Sequence, residues 1–391
     1  MRPFTFYSPV RLLFGEGRFD ELGRHASALG RHALIVTSRQ AMRAAGWLDQ
    51  ACELLTDAGL AVTVFDRVTP NPTDGLVNEG GRVAREAGCD VVVGLGGGSS
   101  MDAAKAIAVR ATHAEPIAEY VCDGPWGARK DPTWATLAVI CVTSTSGTSS
   151  ELTPFAVVTV EELRTKAAIR HEAIYARVAL DDPRLTYSVP PRVTAATGLD
   201  VFCHSIEAYL SPECHPLGEA VAARAMTIVA RRLARVVADG GDTEARAQLM
   251  VANVFAGYAL SQVGATVVHA LEHPVSALHP EVPHGEGLAA LLPAYARLMA
   301  ERVPERLASV AECFGLSASG PTDRVAGTVV GAIEGLLEEV GLRMALRDLQ
   351  VTAEELPEIA AGAQDYMAGA LEKTPGGTDT DFLLRLLQMS L

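Results

Sequence analysis

Residues 91 to 109 read VVVGLGGGSSMDAAKAIAV, and this stretch decides the fold. Its β-branched run predicts a buried strand, which ends at Gly96, Gly97 and Gly98. The residues after the glycines predict a helix opened by Ser99 or Ser100, with Asp102 close behind as a cap. A strand, a glycine turn and a helix in this order are typical of an α/β domain.

The same alternation extends on both sides, as far as about residue 185. Short β-branched runs occupy residues 33–37, 61–65, 90–95, 136–142, 155–160 and 177–180, with helical stretches between them. From Pro190 onward Ala, Leu, Arg and Glu recur at helical spacing. We therefore predict an α/β N-terminal domain with a mainly parallel sheet over residues 1–188, followed by an all-α domain over residues 189–391. The boundary lies in SVPPR, residues 188–192, where two prolines extend neither a strand nor a helix.

Composition excludes several classes of protein. With 391 residues, 49% of them hydrophobic, the chain can fill two cores. Its formal net charge of −14 and its lack of a Lys/Arg cluster argue against nucleic acid or an anionic membrane as partner. The N-terminus has no apolar segment of the kind that signal peptides carry, so we expect a cytoplasmic protein. The seven scattered cysteines form no CxxC pair and predict reduced, mostly buried thiols.

The glycine turn is suited to phosphate. Gly96, Gly97 and Gly98 let the backbone approach a ligand, and the helix N-terminus adds positive potential. GLGGGS ends in Ser where the dinucleotide fingerprint GxGxxG has Gly, so a purely structural turn stays open as the alternative.

A second polar loop, TSTSGTSSELTPF at residues 143–155, follows the predicted strand 136–142. The carboxyl ends of parallel strands share one edge of a sheet, so this loop should emerge beside the glycine turn. A solvated Ser/Thr loop is the alternative.

Residues of the metal-ligand type cluster in the second half, in TGLDVFCHSIEAY (197–209) and GATVVHALEHPVSALHPEVPHGEG (264–287). Asp200 and His204 are four positions apart, as are His269 and His273, so each pair shares one face if its segment is helical. His284 lies between Pro283 and Gly285, on a predicted turn that could fold back toward the second helix. Imidazoles and a carboxylate suit Fe²⁺ or Zn²⁺. His279 lies between His273 and His284 and is left out of the ligand set.

Taken together, the motifs resemble the iron-containing (group III) alcohol dehydrogenase family. The matching stretches are FGEGRFDELG (14–23), PNPT (70–73), GGGSSMDAAK (96–105), TSGTSSELT (145–153), AATGLDVFCHSIEAY (195–209) and the His269 segment. The resemblance implies a dinucleotide-binding α/β domain, a helical metal-binding domain and an active site in the cleft between them. It also implies a metal-dependent, NAD(P)-linked alcohol dehydrogenase or aldehyde reductase that moves hydride between nicotinamide C4 and a metal-bound alcohol or carbonyl of a small-molecule substrate. A homodimer or larger homo-oligomer is expected on the same ground.

The resemblance carries over residue by residue. It implies that the metal ligands are Asp200, His204, His269 and His284, and that His273 is an unliganded histidine facing the nicotinamide, which we interpret as a proton relay. The residues that it places at the cofactor are Gly97, Gly98, Ser99, Asp102, Thr145, Thr148, Thr153 and Lys166. The family often has Gly where this chain has Ser149.

Cofactor preference follows from the strand ALIVT, residues 33–37. Members that prefer NAD tend to carry an Asp just after it, whereas this chain has Ser38 and Arg39. A hydroxyl and a guanidinium could hold a 2′-phosphate, so we expect NADP(H) to be favoured over NAD(H).

Three other functions are considered. A zinc-dependent polyol (glycerol-type) dehydrogenase would share the fold and the ligands. A dehydroquinate-synthase-like lyase needs a basic pocket for its phosphate-bearing substrate, and residues 269–286 contain no Lys or Arg. A metal-binding protein without enzymatic activity would not need the two nucleotide loops.

Overall fold

The computed structural model describes residues 3–391. Within them the chain forms two units, Ser8–Val189 and Pro190–Leu391, the second of which also includes the N-terminal segment up to Tyr7. Each unit has its own arrangement of elements, and each carries one part of the predicted site.

The first unit is built on parallel strands. The described strands are β1 (Arg11–Phe14), β2 (His32–Ser38), β3 (Ala61–Val68), β4 (Val91–Gly96), β5 (Ala138–Thr143), β6 (Phe155–Val160), β7 (Thr165–Arg170) and β8 (Val178–Asp181). Six of them form one parallel sheet in the order β1-β8-β5-β4-β2-β3. The mainly parallel sheet is therefore confirmed. From β2 the chain crosses to β3 on one side, while β4 lies on the other, which makes the β2/β4 junction a topological switch point where ligands commonly bind.

Two details of the sheet differ from the prediction. The run 155–160 does not join the main sheet: as β6 it pairs in antiparallel register with β7 to form a separate hairpin. The sequence analysis missed β7, which contains Lys166 and Arg170, and the short edge strand β1, which begins at the exposed Arg11. Charged residues concealed both from a search for β-branched runs.

Helices cover the parallel sheet on both faces of the first unit. They are α1 (Leu22–Ser27), α2 (Ala41–Ala44), α3 (Trp47–Asp57), α4 (Asp74–Ala87), α5 (Gly98–Thr112) and α6 (Ala118–Val121). One core joins alternate residues of the strands, such as Ile35, Val93 and Val142, to Leu22 of α1 and Leu55 of α3. Helix α5 is buried along almost its whole length, because it packs against the sheet, α4 and β6.

The second unit is helical throughout, as predicted. Its helices are α7 (Pro191–Leu210), α8 (Pro216–Ala238), α9 (Thr243–Gln262), α10 (Val267–Leu278), α11 (His284–Arg302), α12 (Pro304–Ala308), α13 (Thr322–Glu339), α14 (Leu356–Tyr366), α15 (Ala368–Leu371) and α16 (Thr380–Ser390). Helix α7 is the central one, buried at nearly every position from Thr194 to Leu210. No single helix among residues 3–391 has the length and apolarity to cross a membrane, although α9 and α10, bent by 98° to each other, would meet that test as a pair.

A buried lysine fixes the polar loop of the first unit. Lys105 of α5 is 0% exposed. Its Nζ donates to Ser150 Oγ at 3.0 Å, to the Thr153 carbonyl at 2.8 Å and to the Phe155 carbonyl at 2.9 Å, and it also contacts the Ser150 carbonyl. The ammonium group therefore ties the loop after β5 to the helix that follows the glycine turn.

Replacing Lys105 with Met should destabilise the first unit, because three buried carbonyls would lose their donor. We expect the free energy of unfolding to fall by about 3–5 kcal/mol, since each buried carbonyl left without a donor costs about 1–3 kcal/mol, and the melting temperature to fall by roughly 10 °C for a unit of this size. Thermal unfolding followed by circular dichroism measures the change. Lys130→Met is the control, since Lys130 pairs with Glu115 and Glu119 at the surface, and its melting temperature should hardly change. Equal melting temperatures for both variants would contradict the role given to Lys105.

Candidate functional site

Helix α7 presents Asp200 and His204 one turn apart on the same face. Both are buried, and Nδ1 of His204 lies 3.3 Å from Oδ1 of Asp200. This contact is not a hydrogen bond, and Nδ1 of His204 makes none with the described residues. A buried polar atom in that state requires an explanation, and a bound cation is one.

Two further helices bring imidazoles to the same carboxylate oxygen. Nε2 of His269, in the first turn of α10, lies 3.3 Å from Oδ1 of Asp200, and Nε2 of His284 lies 3.9 Å from it. The potential ligand atoms of Asp200, His269 and His284 all lie within 4.8 Å of one another. The rings of His204 and His269 stack with their centroids 4.3 Å apart. Asp200, His269 and His284 therefore form one group of potential ligands, and His204 adjoins this group through its contact with Asp200 and its stacking on His269.

The position of His284 differs from the prediction. His284 is the first residue of α11 and does not lie on a free turn. A Cβ added to Gly285 would lie 2.2 Å from the carbonyl oxygen of Ala196, so only glycine lets the first turn of α11 approach α7 this closely. This close approach of the two helices places His284 next to Asp200.

The charge distribution of the pocket favours a cation. Burial lowers the pKa of His204 to about 4 despite the nearby Asp200, so this imidazole is neutral and keeps a lone pair. Burial also opposes charge on His269, but Glu207 and Asp200 outweigh it and raise the pKa of His269 to about 10. Burial would raise the pKa of Asp200, yet the facing imidazoles lower it below its usual value. An ionised carboxylate and a nitrogen that prefers positive charge make a pocket in which a divalent ion can replace the proton.

Two buried glutamates beside the ligands were missed by the sequence analysis. Glu207 accepts hydrogen bonds from Thr266 N (3.1 Å), Thr266 Oγ1 (2.7 Å) and Val268 N (2.8 Å), and its other oxygen contacts Nδ1 of His269. Glu272 contacts Nδ1 of His284. Each glutamate follows a histidine by three positions, in HSIE and HALE, and this repeated spacing in an apolar helix was the available signal.

The other two histidines of this segment, His273 and His279, have different surroundings. His273 is buried, and its ring centroid lies 5.9 Å from that of His284, next to the ligand cluster. His279 follows the last residue of α10 and pairs with Glu355 at 3.1 Å and Glu281 at 3.7 Å.

In the first unit, the glycine turn and the polar loop pack directly on each other. Helix α5 begins at Gly98 with Gly97 as its N-terminal cap, and no side chain caps it, so the predicted capping by Ser99, Ser100 and Asp102 is wrong. A Cβ on Gly98 would lie 2.4 Å from Cγ2 of Thr148, and one on Gly97 would lie 3.1 Å from Oγ1 of Thr145. The bare backbone at this helix N-terminus is therefore a close fit to the threonines of the loop.

Three of the residues that resemblance places at the cofactor lie inside the unit. Asp102 accepts hydrogen bonds from Ser150 Oγ at 2.6 Å and from Val157 N at 3.1 Å. Thr153 donates to the Ser150 carbonyl at 3.4 Å, and Lys166 is buried on β7. Through their hydrogen bonds with Ser150, Asp102 and Thr153 stabilise the polar loop.

The carboxyl end of β2 places Ser38 beside the glycine turn, since β2 is the neighbour of β4. Arg39 follows it and is exposed; within residues 3–391 its guanidinium has neither an ion pair nor a hydrogen bond. Arg43, by contrast, pairs with Asp66 at 2.9 Å. In the polar loop Ser149 adopts a left-handed backbone with φ of 52°, a conformation that glycine adopts more readily, at the position where the family often has Gly.

Known proteins match both units. One family model, described as iron-containing alcohol dehydrogenase, matches residues 9–183, and a second, described as the C-terminal part of the Fe-containing alcohol dehydrogenase family, matches residues 194–390. The 1,3-propanediol dehydrogenase of Klebsiella pneumoniae is 34% identical over 363 residues, which are 92% of this chain and 92% of that protein. The NAD-dependent methanol dehydrogenase of Bacillus methanolicus is 31% identical over 360 residues, 92% of this chain and 93% of that protein.

A solved structure has the same fold over the whole chain. The archaeal halo-thermophilic alcohol dehydrogenase from a Red Sea brine pool has a TM-score of 0.95 at 34% identity, with 100% of each chain covered. The fold, the ligand geometry and the relatives agree: the chain belongs to the iron-containing alcohol dehydrogenase family, which implies a metal ion and a nicotinamide cofactor.

Proposed function

We propose that this protein is a metal-dependent alcohol dehydrogenase or aldehyde reductase that holds Fe²⁺ or Zn²⁺ with Asp200, His204, His269 and His284. The observation that carries the proposal is the convergence of three imidazoles on Oδ1 of Asp200, at 3.3, 3.3 and 3.9 Å. Three nitrogens and one carboxylate oxygen form a donor set that suits both metals. Nδ1 of the buried His204, which makes no hydrogen bond within residues 3–391, supports the same assignment.

A divalent ion at this site would supply a Lewis acid that polarises the substrate oxygen and eases hydride transfer to or from the neighbouring carbon. Asp200 contributes a carboxylate that remains ionised, and His204 a neutral imidazole. His273 lies close enough to the ligand cluster to accept or return the hydroxyl proton through its ring nitrogen. We assign it that proton-transfer role.

The nicotinamide cofactor is assigned to the first unit. The N–H groups of Gly97, Gly98 and Ser99 would bind the pyrophosphate at the N-terminus of α5, where no side chain caps the helix and the helix dipole favours negative charge. Thr145 and Thr148, which pack on the turn, would line the same ligand. We propose that Asp102 and Thr153 act through the loop to which they are hydrogen-bonded, and that Lys166 acts through its charge on Asp102.

The preference for NADP(H) is a proposal based on Ser38 and Arg39. The guanidinium of Arg39 is exposed, makes no ion pair with any residue from 3 to 391, and follows a strand next to the glycine turn, so it is available for a 2′-phosphate. The relative from Bacillus methanolicus is named for NAD, so relatives do not decide the matter for this chain. A small-molecule alcohol or aldehyde as substrate and a homo-oligomer are expected on family grounds, and a cytoplasmic location is expected from the N-terminal sequence.

The proposed metal site predicts different effects for a ligand variant and for a proton-transfer variant. His204→Ala should weaken binding of the metal by more than about 100-fold, because a ligand is lost. His273→Ala should keep the metal and lower kcat by about 10²- to 10⁴-fold, because the proton carrier is lost. Elemental analysis of protein purified without chelator gives metal content and identity, and turnover is followed on a panel of alcohols and aldehydes. Loss of metal from His273→Ala would refute its role, and a wild-type protein without metal would refute the proposed function.

Cofactor preference is tested with NADPH and NADH on the same preparation. We expect lower KM for NADPH, and we expect Arg39→Ala to raise that KM about 10-fold while leaving the KM for NADH nearly unchanged, since one charge-assisted hydrogen bond is lost. Arg43→Ala is the matched control, because Asp66 already occupies its guanidinium. A wild-type enzyme that prefers NADH would overturn the assignment.

A further inference from the structure

Glu272 lies on α10 between His269 and His273, and none of its side chain is exposed. Burying an ionised carboxylate costs several kcal/mol unless the charge is paired and hydrogen-bonded. Here Oε2 contacts Nδ1 of His284, and Oε1 contacts the hydroxyl of Ser276, one turn further along the same helix. Both carboxylate oxygens are therefore engaged by donors.

The neighbouring helix leaves room for this side chain. A Cβ added to Gly287 of α11 would lie 2.9 Å from Cγ of Glu272 and 3.2 Å from its Oε1. The nearby Glu286 is also buried, but it pairs with Arg192 at 2.6 and 2.8 Å. The packing of α10 against α11 thus brings Glu272 into contact with the ring of His284, whereas Glu286 is paired with Arg192.

His284 needs such an anchor more than the other proposed ligands do. Its side chain is 24% exposed, whereas those of Asp200, His204 and His269 are 4%, 7% and 4% exposed. It is also the first residue of α11, where the positive end of the helix dipole disfavours a cation. A carboxylate at that end fixes the ring and offsets the dipole.

We propose that Glu272 is a positioning residue for the metal site. Its carboxylate accepts a hydrogen bond from Nδ1–H of His284, which fixes the tautomer of that imidazole and keeps Nε2 directed at the position facing Asp200. The proposal rests on the proposed function, since it assumes that His284 is a metal ligand. A carboxylate on the far nitrogen of a ligating histidine orients the ring and makes it a stronger ligand. Glu272 would thereby set the affinity of the site without touching the ion.

Glu272→Gln tests this role, because it keeps the shape and removes the charge. We expect the affinity of the metal-free protein for Zn²⁺, measured by competition with a chromophoric chelator, to fall about 10- to 100-fold. We also expect the visible absorption bands of the Co²⁺-loaded protein to shift, which a purely structural role would not produce. Glu286→Gln is the matched control: it removes an equally buried carboxylate from the same region, and both readouts should stay close to wild type.

The outcomes distinguish this inference from the proposed function. If Glu272→Gln binds Zn²⁺ as the wild type does, with an unchanged Co²⁺ spectrum, the inference fails while the metal site stands. If the wild type itself fails to bind Zn²⁺ or Co²⁺, the proposed function fails and the inference fails with it. If Glu272→Gln does not fold, Ser276→Ala decides: it removes the second hydrogen bond of Glu272, so we expect measurably weaker Zn²⁺ binding, and unchanged affinity would overturn the inference.

Discussion

The helical unit depends on the compensation of one buried charge, the carboxylate of Asp200. Burial alone would make this group neutral, but three imidazoles approach one of its oxygens and keep it ionised. Those imidazoles come from α7, α10 and α11, so the three helices must meet at one point. The close approach of Gly285 to Ala196 and the burial of α7 along most of its length are parts of the same requirement. Packing and electrostatics therefore specify the same geometry.

In the α/β unit, hydrogen bonds to a buried lysine and a buried aspartate fix the backbone of a polar loop. The loop after β5 contains few groups that could pack in a core, and Lys105 replaces such packing with hydrogen bonds to its carbonyls. Asp102 completes the support through Ser150 and Val157. The glycine turn then fits against threonines whose positions are already determined. A preorganised surface of this kind avoids ordering a loop when a ligand binds.

Much of the fold and of the candidate site could be predicted from the sequence. The features that were missed have identifiable physical causes. Spacing within one helix is fixed by its period, so the shared face of Asp200 and His204 could be predicted. Partners on different helices depend on packing, which is why Glu207 and Glu272 were missed and why His284 was placed on a turn. Asp102 shows a related limit: its position near the start of α5 suggested a cap, while its contacts are with a loop almost fifty positions later. The charged residues of β7 concealed a strand that only its pairing with β6 reveals.

The proposed ligands are far apart along the chain, so a metal ion bound to them would cross-link distant segments. Asp200 and His269 are separated by 69 positions, so an ion bound to both would close a long loop, as a disulfide does, but reversibly. Such a cross-link removes conformational freedom from the unfolded chain and stabilises the folded unit by mass action. Metal supply would then govern how long each molecule survives unfolding and proteolysis, in addition to how fast it turns over. The abundance of the protein would follow the availability of its metal.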